Sequence, residues 1–164
     1  MDRKGKLIFL CGKMAAGKST LARELAQREN ALLLVLDDFL ERLFPGQIVD
    51  IASFVTYSTR IRDAFAPHIC SLLSMGISVV LDFPGNTRNQ RSWFRQLCQQ
   101  AGAKHELHFI EASDEICKRQ LRERSNELPP GARWTTDADF DAITAYFESP
   151  AADEHFNVIR HERA

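Results

Sequence analysis

Short apolar runs alternate with longer amphipathic stretches along the whole chain. The runs have the length of buried strands, and the stretches between them repeat apolar residues at the spacing of one helix face. The predicted strands span residues 7–11, 32–36, 77–81, 104–110 and 156–159. The predicted helices span residues 18–29, 51–75, 89–100, 113–125 and 137–147. Because strands alternate with helices, the sequence predicts an α/β fold with a parallel sheet covered on both faces.

One segment interrupts this alternation. Residues 126–136 contain Pro129, Pro130 and Gly131, which predict a loop. The stretch just before this loop is rich in cations, namely Lys118, Arg119, Arg122 and Arg124. We therefore expect residues 1–164 to form a single domain with a small arginine-bearing lid at approximately 117–136.

Composition and charge narrow the class of protein. Hydrophobic residues make up 45% of the chain and charged residues 26%, which favours a folded domain over a disordered chain. No apolar run has the roughly 20 residues that span a bilayer, and the run after the basic N-terminus is too short for a signal peptide. The formal net charge is −1, whereas nucleic-acid-binding domains are usually more basic. We expect a cytoplasmic protein that has no membrane contact. Nucleic acid is a possible partner but is not favoured.

Residues 12–20 carry the strongest chemical signal. The motif GxxxxGK[ST] is complete and lies between a predicted buried strand and a predicted helix. Its glycines let successive backbone N–H groups turn towards a phosphate, and the start of the helix adds a positive dipole end. Lys18 can reach the β- and γ-phosphates, and the Ser19 hydroxyl can ligate Mg²⁺. The predicted nucleotide-binding residues are Gly12, Lys13, Met14, Ala15, Ala16, Gly17, Lys18, Ser19 and Thr20.

Carboxylates follow two of the predicted strands. Asp37 and Asp38 come directly after the second strand, and Asp82 follows the third. Ligands of open α/β sheets bind at the carboxyl ends of the strands, where Asp37 can accept the proton of an attacking hydroxyl. Asp82 can hold Mg²⁺ together with Ser19. Asp38 has a second interpretation, because aspartate also caps helices and a helix can begin at its neighbour.

Three arginines share one face of the helix predicted over 89–100 and the residue before it. Arg88, Arg91 and Arg95 either bind an acidic substrate or form a solvated face. Trp93 lies among them, and its spacing predicts packing in the core. No glutamate follows Asp82, which argues against ATP hydrolysis as the purpose of the site.

These motifs resemble a known family. The phosphate loop, the Leu36-Asp37-Asp38 ending and the C-x-x-x-L-x-x-R stretch from Cys117 to Arg124 resemble the small P-loop kinases, which are described as AAA-type ATP-binding proteins. That family is similar to the kinase domain of polynucleotide kinases, chloramphenicol phosphotransferase and the zeta toxins. The resemblance covers roughly residues 6–125. It implies the three-layer αβα fold of P-loop NTPases, with a five-stranded parallel sheet and a lid as in nucleoside monophosphate kinases.

The resemblance also implies roles for individual residues. The family's general base falls on Asp37, and its lid arginine falls on Arg124. An earlier lid arginine would fall on Gln120, so Arg119 or Arg122 takes its place here. The expected helix over 51–75 would build the acceptor pocket, with the candidate residues Phe54, Tyr57, Arg60 and Arg62.

The motifs together predict an ATP-dependent phosphotransferase. We expect an Mg²⁺-dependent kinase that moves the γ-phosphate of ATP onto a hydroxyl of a small molecule, with Asp37, Lys18, Arg124 and Arg119 as catalytic residues. Ser19 and Asp82 are the expected metal ligands. The alternatives are a polynucleotide or nucleotide kinase and, in another class, an ATP-dependent regulatory or binding module without transfer activity. The chain has no guanine-reading motif, so ATP is favoured over GTP.

Overall fold

The described residues form five strands and six helices, and the helix that directly follows the second strand is additional to the five that the sequence predicts. The computed structural model describes residues 3–128 and 135–163. The strands are β1 (Leu7–Cys11), β2 (Leu32–Val35), β3 (Val79–Asp82), β4 (His105–Ala112) and β5 (Val158–Arg163). The helices are α1 (Lys18–Arg28), α2 (Leu36–Leu43), α3 (Ile51–Ser74), α4 (Arg88–Ala101), α5 (Asp114–Ser125) and α6 (Asp137–Thr144).

The strands form one parallel sheet in the order β2-β3-β1-β4-β5. This confirms the predicted α/β fold with a five-stranded parallel sheet. β1 is central and all five of its residues are buried, as its unbroken apolar run predicts. The register places Val35 of β2 beside Asp82 of β3. The acidic residues at the ends of these two strands therefore meet at the carboxyl edge of the sheet.

Helices cover both faces of the sheet because alternate side chains of β1 point to opposite sides. Leu7, Phe9 and Cys11 belong to the large core beneath α3 and α4. Ile8 and Leu10 belong to the smaller core beneath α1. None of the described helices combines the length and the apolar character needed to cross a membrane.

The start of α2 differs from the prediction. This helix begins at Leu36, directly after β2, and its N-cap residue is Val35, whose side chain makes no capping hydrogen bond. The prediction that Asp38 caps a helix is therefore wrong, because Asp37 and Asp38 both lie inside the first turn. Their negative charges are favourable there because the N-terminal end of a helix is positive.

The expected lid, approximately residues 117–136, begins within α5 and ends just before α6. The two helices are joined by ion pairs from Lys118 to Asp141 (2.9 Å) and from Arg122 to Asp137 (3.2 Å). Residues 129–134 of the expected lid, which include Pro129, lie outside the described residues.

Candidate nucleotide and acceptor site

The phosphate loop is a tight turn between β1 and α1. Gly17 has a φ of 106° and Ala15 a φ of 62°, so two residues adopt the left-handed conformation. At Gly17 any side chain would be strained, and a Cβ would also lie 3.1 Å from Nη1 of Arg163. Lys18, Ser19 and Thr20 form the first turn of α1. The loop therefore has the shape in which backbone N–H groups and a helix start can bind a phosphate.

Neighbouring side chains hold the loop in place. The Gly12 N–H donates to Oδ1 of Asn86 (2.9 Å), and Nη1 of Arg163 donates to the Ala16 carbonyl (2.8 Å). Nζ of Lys13 pairs with Asp114 at the start of α5 (2.7 Å). Sequence reasoning missed Asn86 and Arg163. Asn86 had a weak signal, because a polar residue near the carboxyl end of a strand often serves a site, whereas nothing local marks Arg163.

The Ser19 hydroxyl and the Asp82 carboxylate lie together. Oγ of Ser19 donates to Oδ2 of Asp82 at 2.9 Å, although the two residues are 63 positions apart. Nζ of Lys18 donates to the Gly12 carbonyl. Burial lowers the pKa of Lys18, while the charges of Cys11, Asp82 and Asp37 oppose this change. Lys18 is thus a largely desolvated cation with carboxylates close by, ready to interact with phosphate.

Asp37 belongs to the same group of charges. Burial raises the pKa of the Asp37 carboxyl, the charges of Asp82 and Asp38 raise it further, and Lys18 opposes them. A carboxylate with a raised pKa holds a proton more strongly than an ordinary aspartate does. The structure therefore brings together Asp37, Lys18 and Asp82, which the sequence places on three different elements.

The arginines of α4 pair with groups of the protein itself. Arg91 is completely buried, and its Nε and Nη2 atoms donate to Glu154 at 2.8 and 3.1 Å. Arg88 donates two hydrogen bonds to Asp153, and Arg95 donates to the Glu154 carbonyl. Both interpretations of this face, substrate binding and a solvated surface, are wrong for Arg91, because a distant segment supplies its counter-charge. Trp93 is buried, as predicted.

That segment, residues 148–155, crosses the start of α4, and we call it the strap. The backbone N–H of Glu148 donates to the Asn86 carbonyl (2.9 Å). Arg91, held by Glu154, donates to the Gly85 carbonyl (3.0 Å). Since Asn86 in turn accepts from Gly12, a continuous set of contacts connects the strap to the phosphate loop.

α5 packs against the other side of the loop. Ala15 and Ala16 share a buried apolar cluster with Cys117 and Leu121 of α5. Arg124 lies seven residues after Cys117 and three after Leu121, which places it on this inward face of α5, whereas Arg119 falls on the opposite face. Both arginines are exposed, and neither makes an ion pair within the described part of the chain.

A pocket opens beside the phosphate loop at the carboxyl ends of β4 and β5. Its volume is about 800 Å³, and its lining includes Lys13, Phe109, Ser113, Phe147 and Arg163. Pockets of this size accept molecules as large as a nucleoside. The phosphate loop thus has room for a larger group at one side and the carboxylates Asp37 and Asp82 at the other.

A parallel sheet with a phosphate loop after its central strand defines a P-loop nucleotide-binding fold. The chain belongs to the AAA domain family, whose model matches residues 7–150. No curated protein matched the sequence.

The solved structures that resemble the chain are small P-loop kinases. A candidate kinase from Chloroflexus aurantiacus superposes with a TM-score of 0.74 at 19% identity, covering 97% of this chain and 88% of that one. A sugar kinase from Janibacter sp. HTCC2649 gives 0.66 at 13% identity, with coverages of 96% and 85%. Shikimate kinase from Acinetobacter baumannii, in complex with shikimate, gives 0.60 at 17% identity, with coverages of 99% and 87%. At these identities the likeness establishes the fold.

Proposed function

We propose that the protein is an Mg²⁺-dependent kinase that transfers the γ-phosphate of ATP to a hydroxyl of a small molecule. The observation that carries the proposal is the position of Asp37. Its carboxyl lies close enough to Lys18 and Asp82 for their charges to change its pKa. A protein that only binds ATP has no need of a carboxylate with a raised pKa beside its phosphate loop.

ATP binds with its phosphates on the loop. The start of α1 offers its backbone N–H groups to the phosphate oxygens, and Lys18 exchanges the Gly12 carbonyl for the β- and γ-phosphates. The pocket at the ends of β4 and β5 then receives the nucleoside. Arg124, on the inward face of α5, is better placed than Arg119 to supply a lid cation when the site closes.

Ser19 and Asp82 are suited to Mg²⁺. Both offer hard oxygen atoms, which lie 2.9 Å apart, and Mg²⁺ is typically held by one or two such protein ligands together with phosphates and water. Across residues 3–128 and 135–163 no group of three or more His, Cys, Asp or Glu side chains is arranged to hold a metal, which fits an ion that depends on the nucleotide for its remaining ligands. The ion supplies positive charge that neutralises the phosphate oxygens.

The residues of the chain account for each part of the transfer. Asp37 accepts the proton of the acceptor hydroxyl. At the same time, the hydroxyl oxygen forms a bond to the γ-phosphorus. The bond between the γ-phosphorus and the bridging oxygen breaks, and ADP leaves with that electron pair. Lys18 stabilises the charge that develops on the phosphate oxygens. Because its pKa is raised, Asp37 is a stronger base than an ordinary aspartate.

Two of the structural neighbours support a small acceptor. A sugar kinase and a shikimate kinase are named for small molecules, and both cover nearly the whole chain. The site also differs from that of a strand-binding enzyme, because Trp93, the aromatic residue among the α4 arginines, is buried and cannot stack on a base.

Replacing Asp37 by asparagine tests the proposal. We expect Asp37→Asn to lower the rate of acceptor-dependent ADP release by about 10²- to 10⁴-fold and to leave the dissociation constant for MgATP nearly unchanged. The measurement is a screen of hydroxyl compounds with MgATP, followed by kinetics of the best acceptor. Glu41→Gln, an exposed carboxylate on the same helix, is the control and should behave like the unmodified protein. Tight ATP binding without acceptor-dependent ADP release from any compound would favour a regulatory module instead.

A further inference from the structure

α3 carries an arginine, Arg62, whose Nε atom is shielded from solvent. No hydrogen-bond partner for this atom lies among the residues that the structure describes. Within the described residues no carboxylate lies at ion-pair distance from its guanidinium. Burial lowers the pKa of Arg62, opposed by the charge of the adjacent Asp63. An N–H group shielded from water without a hydrogen-bond partner is costly, so its retention needs an explanation.

A second unpaired polar group lies one helical turn earlier. Ser58 is 7% exposed, and its Oγ has no hydrogen-bond partner among the described residues. Residues four positions apart lie on the same helix face, so Ser58 and Arg62 are neighbours. This face also carries Ile61 and Ile69, which are buried in the large core. Two polar atoms on an otherwise apolar, inward-facing stripe thus lack hydrogen-bond partners in the described part of the chain.

Both groups lie beside the elements that carry the catalytic carboxylates. Phe65 of α3 contacts Phe39 of α2 with ring centroids 4.6 Å apart, and Tyr57 contacts Phe44 at 4.4 Å. The segment of α3 between residues 57 and 65 therefore runs antiparallel to α2, the helix that begins with Asp37. Ser58 and Arg62 both fall within this segment.

Arg62 also contacts α4. Its guanidinium carbon lies 5.3 Å from the centre of the Trp93 ring, and Trp93 stacks on Phe83 at 5.5 Å. Phe83 is the residue directly after Asp82. Arg62 is thus linked through the Trp93 ring to the residue that follows Asp82.

We propose that Arg62 and Ser58 bind an anionic group of the phosphate acceptor, so that the substrate is a hydroxyl compound carrying a carboxylate or a phosphate. The guanidinium matches either anion with two parallel N–H donors, and the Ser58 hydroxyl donates a third hydrogen bond. This inference rests on the proposed kinase function and specifies the substrate class of the same site.

The test compares matched acceptors and matched variants. Hydroxy acids, phosphorylated alcohols and their neutral amide or unphosphorylated analogues are offered with MgATP, and KM and kcat are measured. We expect either the hydroxy acids or the phosphorylated alcohols to be phosphorylated, and their neutral analogues to have a much higher KM. Arg62→Met should raise KM for that acceptor by about 10- to 100-fold, with kcat and the dissociation constant for ATP within a few-fold. Arg62→Lys should recover part of the loss. Preference for neutral acceptors, or an unchanged KM in Arg62→Met, would overturn the proposal.

A binding measurement separates failure of this inference from failure of the kinase proposal. In a Trp134→Phe background, Trp93 is the remaining tryptophan and reports directly on the guanidinium above it. Titration of the MgADP-bound protein with the hydroxy acids and phosphorylated alcohols should change Trp93 fluorescence as the compounds bind. Arg62→Met should weaken the binding of these compounds even if none of them is phosphorylated. Equal binding to both proteins would show that Arg62 has a structural role only.

Discussion

The phosphate loop and the acceptor side of the cleft differ in how their polar groups are satisfied. In the loop, the Gly12 N–H, the Ala16 carbonyl and the Ser19 hydroxyl all have partners within the protein. On the acceptor side, Ser58 and the Nε of Arg62 have none among the described residues. The loop is therefore built before any ligand arrives, whereas the acceptor side retains polar groups that a substrate would satisfy.

Two arginines make the same contrast at the level of single side chains. Arg91 is completely buried and is neutralised by Glu154 of the strap. Arg62, on the helix that packs against α4, lies over a tryptophan ring, and no carboxylate of the described residues pairs with it. A paired arginine in the interior holds elements together, and an unpaired one beside a site is a candidate for binding. The sequence alone does not distinguish the two, because each is simply an arginine within a predicted helix.

The largest effect is expected from removing the counter-charge of Arg91. Glu154→Ala leaves a buried guanidinium without its partner, so the free energy of unfolding should fall by about 3–5 kcal/mol. Urea denaturation measures this change. The matched control is Asp153→Ala, which breaks the neighbouring ion pair to the exposed Arg88 and should cost less than about 1 kcal/mol. Equal losses would remove the distinction between the buried and the exposed pair.

A smaller effect is expected from the residue that holds the phosphate loop. Asn86→Ala leaves the Gly12 N–H without its acceptor and loosens the loop, at a cost of about 1–3 kcal/mol. We expect the affinity for MgATP to fall by about tenfold or more, which isothermal titration calorimetry measures. Asn89→Ala, an exposed asparagine on α4, should leave the affinity unchanged. If both variants bind ATP like the original protein, the loop does not depend on Asn86.

The smallest effect is expected in the pH dependence of transfer. Asp37 must be ionised to accept a proton, so the rate should rise with pH through the pKa of Asp37. The charge of Asp38 contributes to the raised pKa of Asp37. Asp38→Asn should therefore move the acid limb of the rate profile to lower pH, and Glu41→Gln should not move it. A shift to higher pH, or an identical shift in both variants, would contradict the assignment of Asp37 as the base.

Local patterns in the sequence predicted most of the fold and part of the site. The unbroken apolar run of β1 and the spacing of the helices were sufficient for the parallel sheet, and one motif was sufficient for the loop from Gly12 to Ser19. The start of α2 was missed because Val35 caps it without a side-chain hydrogen bond. The partners of Arg91 and Ala16 were missed because they lie 63 and 147 residues away, and no local pattern records such pairings.

The strap also determines where the chain can be cut. The match to the family model ends at residue 150, yet Asp153, Glu154 and Arg163 lie beyond it and contact α4 and the phosphate loop. A fragment trimmed to the matched residues would lose β5 and the carboxylate that neutralises Arg91. Recombinant versions of this protein, and comparisons with its relatives, should therefore extend at least through Arg163.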